Sequence, residues 1–209
     1  AAELLEEEGF TQDAQGNWFL PDGSRWTMTI NAPANFEIQS QRLAFAVADV
    51  WRGFGIDAVV QQMEGGSFWN ASTNGNFEAG SYWPGCGVMP DVYDNMYGSW
   101  HKDLVVPVGQ PAPGNTSRFV NDEMSAILDE VGQLTTENPR TVELLTDFMK
   151  VWVDEMPWLP MVGTSKFVPV DTYYWTGFPT ADNPYEGPWW WWSLFKYMTP
   201  EFEPTGRME

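Results

Sequence analysis

Three observations in the sequence predict an α/β fold in which a sheet is flanked by helices. "RWTMTI" sets Trp26, Met28 and Ile30 against Thr27 and Thr29, the two-residue period of a strand. "FEIQSQRLAFAVADVWRGFG" then changes to helical spacing, with Leu43, Val47, Val50 and Phe54 on one side and Gly53 and Gly55 closing it. "IDAVVQQM" returns to strand character. Strand, helix and strand in that order form a parallel crossover unit, right-handed in nearly all sheets.

The other elements follow from local signals. "AAELLEEEGF" reads as helix up to Glu8, with Gly9 as its stop. A chain that opens inside a helix and without Met reads as a fragment of a longer one, so a missing signal peptide says nothing about compartment. Turn signals at Gln15-Gly16 and Pro21-Asp22-Gly23 bracket the short apolar piece Trp18 to Leu20. "GGSFWNASTNG" predicts a short helix carrying Phe68 and Trp69 inward, and "NFEAGSYW" a third strand. From Pro84 to Ser117 the chain is rich in Gly and Pro and has no period, which in a compact domain points to function. In "NDEMSAILDEVGQL" Asn121 is the N-cap, Asp122 and Glu123 suit the first turn, and Met124, Ile127, Leu128 and Val131 form the buried stripe. In "NPRTVELLTDFMKVWVDEMP" Asn138 caps, Pro139 takes the first helical position and Pro157 stops the run. "WLPMVG" reads as a strand, and beyond Lys166 the chain is aromatic and Pro-rich, with no clear period.

Composition narrows the function. The chain holds 209 residues, 43% of them hydrophobic and 19% charged, enough to bury a core. Its formal charge of −19, with ten Lys and Arg together, argues against nucleic acid and against anionic membrane surfaces as partners. One cysteine, Cys86, permits no intrachain disulfide, and with His101 as the one histidine no Cys/His zinc cluster can form. Neither a metal nor a cofactor is expected.

Catalytic constellations are equally sparse. His101 stands in a Trp-His-Lys context without a serine elbow, which favours a structural histidine over a catalytic one. Asp91 and Asp94 lie close in the chain, but only their separation in space could make them a glycosidase pair. Gly65-Gly66 is a turn rather than a phosphate cradle, and Asn70 and Asn115 open N-x-Ser/Thr sequons that matter only in a glycosylating pathway. What remains is binding. "SYWPGCGVMPDVYDNMYGSWHKD" gathers Tyr82, Trp83, Tyr93, Tyr97 and Trp100 among glycines, prolines and carboxylates. Aromatic faces stack on sugar rings or apolar groups and carboxylates accept hydrogen bonds from hydroxyl or ammonium groups, but such a loop can equally bury its own rings as a satellite core.

The succession "AAELLEEEGF", "DAQGNW", "LPDGSRWTMTI", "QRLAFAVADVWRGFGIDAVVQQM" and "FWNASTNGNFEAGSYW" resembles the C-terminal half of the family 5 extracellular solute-binding proteins, receptors of ABC importers. "SRFVNDEMSAILDEVGQL" and "VWVDEMPWLPMV" resemble its later helix pair and the strand leading back to the other lobe. The resemblance implies a type II periplasmic-binding-protein-like fold: residues 1–160 as most of a C-terminal lobe, a mixed sheet flanked by helices, and residues 161–209 as the hinge crossing and a tail packed on an absent first lobe. It implies no enzyme, but capture of an oligopeptide or oligosaccharide and delivery to ABC permease subunits. The setting would be periplasmic or extracellular, with a lipid anchor on the full-length protein. The four tryptophans Trp189 to Trp192 would then pack between lobes, with one or two indoles turned to the cleft.

In the oligopeptide receptors the third strand ends in Trp-Cys-x-Asp, whose tryptophan lines the pocket and whose aspartate holds the peptide ammonium. Trp83 matches that tryptophan, Cys86 takes the aspartate's place, and the first carboxylate comes at Asp91. The departure puts an oligosaccharide beside a peptide as the expected ligand. Trp83 is the expected stacking platform and Asp91 or Asp94 the polar anchor, with Tyr93 and Trp69 as further contacts. A glycan-active enzyme or a carbohydrate-binding accessory module is the alternative.

Overall fold

The computed structural model describes residues 1–35, 38–82, 92–163, 169–185 and 195–207. The chain divides into two compact units, residues 1–84 with 91–159, and residues 85–90 with 160–209.

In the first unit α1, Ala2–Glu7, ends on Gly9 at φ +89°. β1, Thr11–Gln12, pairs antiparallel with β2, Trp18–Phe19, across a turn in which the Asp13 carboxylate accepts the N–H groups of Gln15 and Asn17. This hairpin puts Trp18 wholly inside, its ring stacked on Phe54 at 5.7 Å and its backbone N–H donated to the Gly55 carbonyl. Gly55 is there for a reason of space: at φ +106°, a Cβ would lie 1.9 Å from the Gly16 oxygen.

β3, Thr27–Pro33, α2, Ile38–Phe54, and β4, Asp57–Met63, form the expected crossover, with β3 and β4 parallel from Thr27↔Asp57 to Pro33↔Met63. α3 is Gly65–Asn74, and β5, Ala79–Gly80, joins the other side of β3, also parallel. The sheet order is β4-β3-β5, and among the described residues this sheet is parallel throughout. One core joins Ile30, Ala32 and Ala58 of the sheet to Ala44 and Ala48 of α2, with Val47, Trp51, Val60 and Ala79 around them.

The buried face of α2 matches the expected stripe at Val47 and Phe54 and departs from it at Val50. Ser40, Ala44 and Ala48 are its buried residues, whereas Val50 is 69% exposed. Small side chains let the helix backbone approach the sheet closely, so the fully buried positions are the small ones, while Leu43 and Phe54 are half-buried at the margins and Val50 faces out.

The stretch expected to lack structure contains α4, Val92–Trp100, followed by a 3₁₀ turn at Lys102–Leu104. α5, Asp122–Val131, and α6, Pro139–Glu155, start as expected: Asn121 accepts the Met124 N–H at 2.9 Å, and Asn138 that of Arg140 at 2.9 Å. A second core holds Trp100, Met124, Leu128 and Phe148. "WLPMVG" makes no strand: Leu159, Met161 and Val162 are more than half exposed, and no described strand pairs with them. Apolar content selected a strand there, but a strand needs an edge to pair with.

Loop 105–118 is held by two side chains. Arg118, at φ +56°, donates to the carbonyls of Thr73, Val106, Gln110 and Thr116 at 2.8–3.1 Å. Asn115, 2% exposed, donates to the carbonyls of His101 and Phe119 and accepts from the Phe119 N–H.

The second unit holds β6, Trp175–Thr176, α7, Phe195–Met198, and β7, Glu203–Pro204, which pairs antiparallel with β6. Phe202 gathers Phe178 and Phe195 at 4.6 and 5.6 Å, and Met198 is fully buried. The run Trp189 to Trp192 lies outside the described residues.

Candidate functional site

Side chains with binding chemistry converge where the parallel strands end. Asn35, just past β3, accepts the Gly65 N–H through its side chain at 3.1 Å. Glu64, just past β4, caps α3 by accepting the N–H groups of Gly66 and Ser67 at 2.8 and 3.3 Å. Past β5, Ser81 gives its N–H to the Asn31 carbonyl and its hydroxyl to the Ser40 carbonyl, which ties this strand end to the first turn of α2. Carboxyl ends of parallel strands are where open α/β sheets bind ligands.

The next residue, Tyr82, begins an aromatic ladder. Its half-buried ring lies 5.6 Å from Trp69 and 5.7 Å from Phe68, both near edge-on. Behind it stands Trp158 at 6.4 Å, then Trp100 at 4.3 Å from Trp158, with Trp152 and Phe119 each 6.3 Å from Trp100. The ladder runs from the 6%-exposed Trp100 outward to Trp69, 40% exposed. Edge-to-face contacts hold each ring at a fixed tilt. The outer end therefore presents Trp69 and Tyr82 as a rigid corner, with hydrogen-bonding groups of Asn35, Glu64 and Ser81 at the neighbouring strand ends.

The expected site residues distribute unevenly. Trp83 and Asp91 lie outside the described residues. Trp69 belongs to the corner, although only Phe68 of that pair turns fully inward, at 2% exposure. Tyr93 and Asp94 are on α4: Tyr93 is half-buried, 5.4 Å from Tyr97 and close against Gly132 at the end of α5, and Asp94 is exposed in the helix's first turn. Trp158 was missed because "WLPMVG" reads as strand. The cue was Pro157, which stops α6 and turns the next side chain back on the helix end.

His101 is structural. It is 1% exposed, stacks on Tyr97 at 4.2 Å, and accepts the Asp103 N–H at Nδ1. Nε2 then carries the hydrogen and lies 3.2 Å from Asp129 Oδ1 without making a well-formed hydrogen bond. Among the described residues, no three His, Cys, Asp or Glu side chains are grouped to hold a metal ion, and no helix is long and apolar enough to cross a membrane.

By sequence, no protein-family model and no curated protein matches the chain. Solved structures do. The mannohexaose-bound periplasmic oligopeptide-binding protein of a Thermotoga maritima ABC transporter superposes at a TM-score of 0.78 with 19% identity, over 98% of this chain and 38% of its own. The chain carries part of the fold of the periplasmic oligopeptide-binding proteins. Campylobacter jejuni NikZ, solved with Ni(L-His), superposes at 0.62 with 18% identity, over 74% of this chain and 29% of its own. The oligopeptide-binding protein AppA of Bacillus subtilis, solved with a nonapeptide, does so at 0.61 with 16% identity over the same shares. The chain thus spans little more than a third of the Thermotoga protein's length.

Proposed function

We propose that this chain is the C-terminal part of the substrate-binding component of an ABC importer, which captures an oligopeptide or oligosaccharide between two lobes and delivers it to the permease. The observation that carries this reading is the rigid aromatic corner at the strand ends, in a fold shared with receptors solved around a sugar hexamer and a nonapeptide. Residues 1–160 form most of the second lobe, and residues 161–209 cross the hinge and pack on the first lobe. The division of the chain at Pro160 into compact units supports that boundary. Trp83 and Trp69 stack on the ligand, Asp91 or Asp94 anchors its polar groups, and Tyr93 borders it. Contacts made only on closure shift the receptor towards its closed form by their differential affinity. The full-length protein works in the periplasm or outside the cell, held by a lipid anchor.

The test is calorimetric titration of the full-length protein with mannohexaose and with short peptides. Binding that falls roughly tenfold in Trp69→Ala, and again in Trp83→Ala, is the expected result. Hydrolysis of labelled oligosaccharides by the intact protein would replace the receptor by a glycan-active enzyme. Binding unaffected by either substitution would remove these residues from the site.

A further inference from the structure

Trp158 sits where the chain leaves the first compact unit, and Tyr82 sits where it leaves the other way. Tyr82 is two residues before Pro84, the last of its segment, and Trp158 is one before Leu159. These two exits are far apart in sequence, yet their rings meet edge-on at 6.4 Å. Trp158 is brought there by an uncommon backbone: Met156, which closes α6, is left-handed at φ +42°, and Pro157 follows. A non-glycine residue in that region persists where its surroundings hold it. Here the hold is the packing of Trp158 against Trp100, at 4.3 Å, on one side and Tyr82 on the other.

We propose that Trp158 is a positioning residue: its contact with Tyr82 clasps the two exits together and sets the tilt of the Trp69–Tyr82 corner. The proposal deepens the receptor reading and rests on it for the ligand's part alone. Tyr82 touches both Trp69 and Trp158. A ring stacked on the corner therefore bears on the turn that ends α6 as well as on the end of β5. Without Trp158, Tyr82 keeps its contacts with Phe68 and Trp69 but loses its backing, and the added ordering at each binding event weakens affinity by roughly three- to tenfold.

Two backbone amides report the exits separately. The Ser81 N–H is held by the Asn31 carbonyl and the Met156 N–H by the Trp152 carbonyl, each at 2.9 Å. Amide exchange of both is followed by NMR in this chain, in Tyr82→Leu, Trp158→Leu, Trp158→Phe and the double Leu variant. Each single Leu substitution is expected to speed exchange at both amides, the double variant no more than the faster single, and Trp158→Phe to restore slow exchange. Exchange that rises only beside the altered residue overturns the clasp. Should Trp158→Leu fail to fold, Tyr82→Leu and Trp158→Phe decide the matter by the same two amides. In the full-length protein, mannohexaose and a tetrapeptide serve as probes. Weaker probe binding in Trp158→Leu, restored to within about twofold in Trp158→Phe, is expected, and equal binding in all three refutes the positioning role. If the unaltered protein binds neither probe, the receptor reading falls, while the two amides still decide the clasp.

Discussion

Replacing Arg118 by Ala removes a side chain that binds loop 105–118 to the end of α3, beside the backbone bonds of Gly109 to Asn74 and Ala112 to Thr73. Its guanidinium donates to four carbonyls: Val106 at 3.1 Å, Thr116 at 2.8 Å, Thr73 at 3.0 Å and Gln110 at 2.9 Å. Water replaces the guanidinium at Gln110, whose bond is exposed; three half-buried bonds are lost, although the Thr73 carbonyl keeps the Ala112 N–H. Bonds from charged donors contribute roughly 1.5–3 kcal/mol each, and a half-exposed arginine earns less, so about 1 kcal/mol per carbonyl is a fair discount. Arg118→Ala should then cost about 3 kcal/mol, or a fall of about 6–12 °C in melting temperature. Arg118→Lys keeps the charge but not the fork and should lose about 2 kcal/mol. Arg118→Gly is the control: it relieves the positive φ and should be milder than Ala by about 1 kcal/mol. Urea denaturation followed by tryptophan fluorescence measures all three. An Arg118→Ala loss under about 1 kcal/mol would show that the loop is held by packing, Asn115 and its backbone bonds to Thr73 and Asn74, and that the guanidinium bonds add little.

Gly55→Ala forces a Cβ to 1.9 Å from the Gly16 carbonyl at a φ alanine avoids, so it should cost at least about 3 kcal/mol, read from the urea midpoint. Asn115→Ala strips two carbonyls and one N–H of their buried partner and should cost about 2–4 kcal/mol by the same assay. In the folded chain Asn115 is closed to glycosyl transfer, so a mobility shift on treatment with a sequon-specific glycosyltransferase should be lost in Asn70→Gln and kept in Asn115→Gln. Asp122 has its carboxyl held below the ordinary 3.8, first by the hydrogen bond from Lys102. A depressed folded value means that its stabilisation is present above 3.8 and is lost as pH falls through that lower value. Lys102 is raised above 10.5 by the same bond, so the pair's contribution is also lost as pH rises through that higher value. Urea midpoints of Asp122→Asn should therefore depend less on pH at both ends than those of the unaltered chain.

The crossover unit and the helices α5 and α6 were written locally, whereas α4 and the elements of the tail were not. Alternation at Trp26 to Ile30, caps at Asn121 and Asn138, and prolines at 139 and 157 each act within a few residues, so periodicity and capping chemistry suffice to find them. Tertiary structure decided which face of α2 is buried. Closeness to the sheet selected Ala44 and Ala48 over Val50, and the size of a side chain does not reveal how near a neighbouring layer stands. It also decided the site. Aromatic residues at 69, 82, 100 and 158 are scattered over the chain, and nothing in their spacing links them. Strand pairing of β5 with β3 and the left-handed turn at Met156 bring them into one ladder, because ring contacts depend on where backbones cross in space.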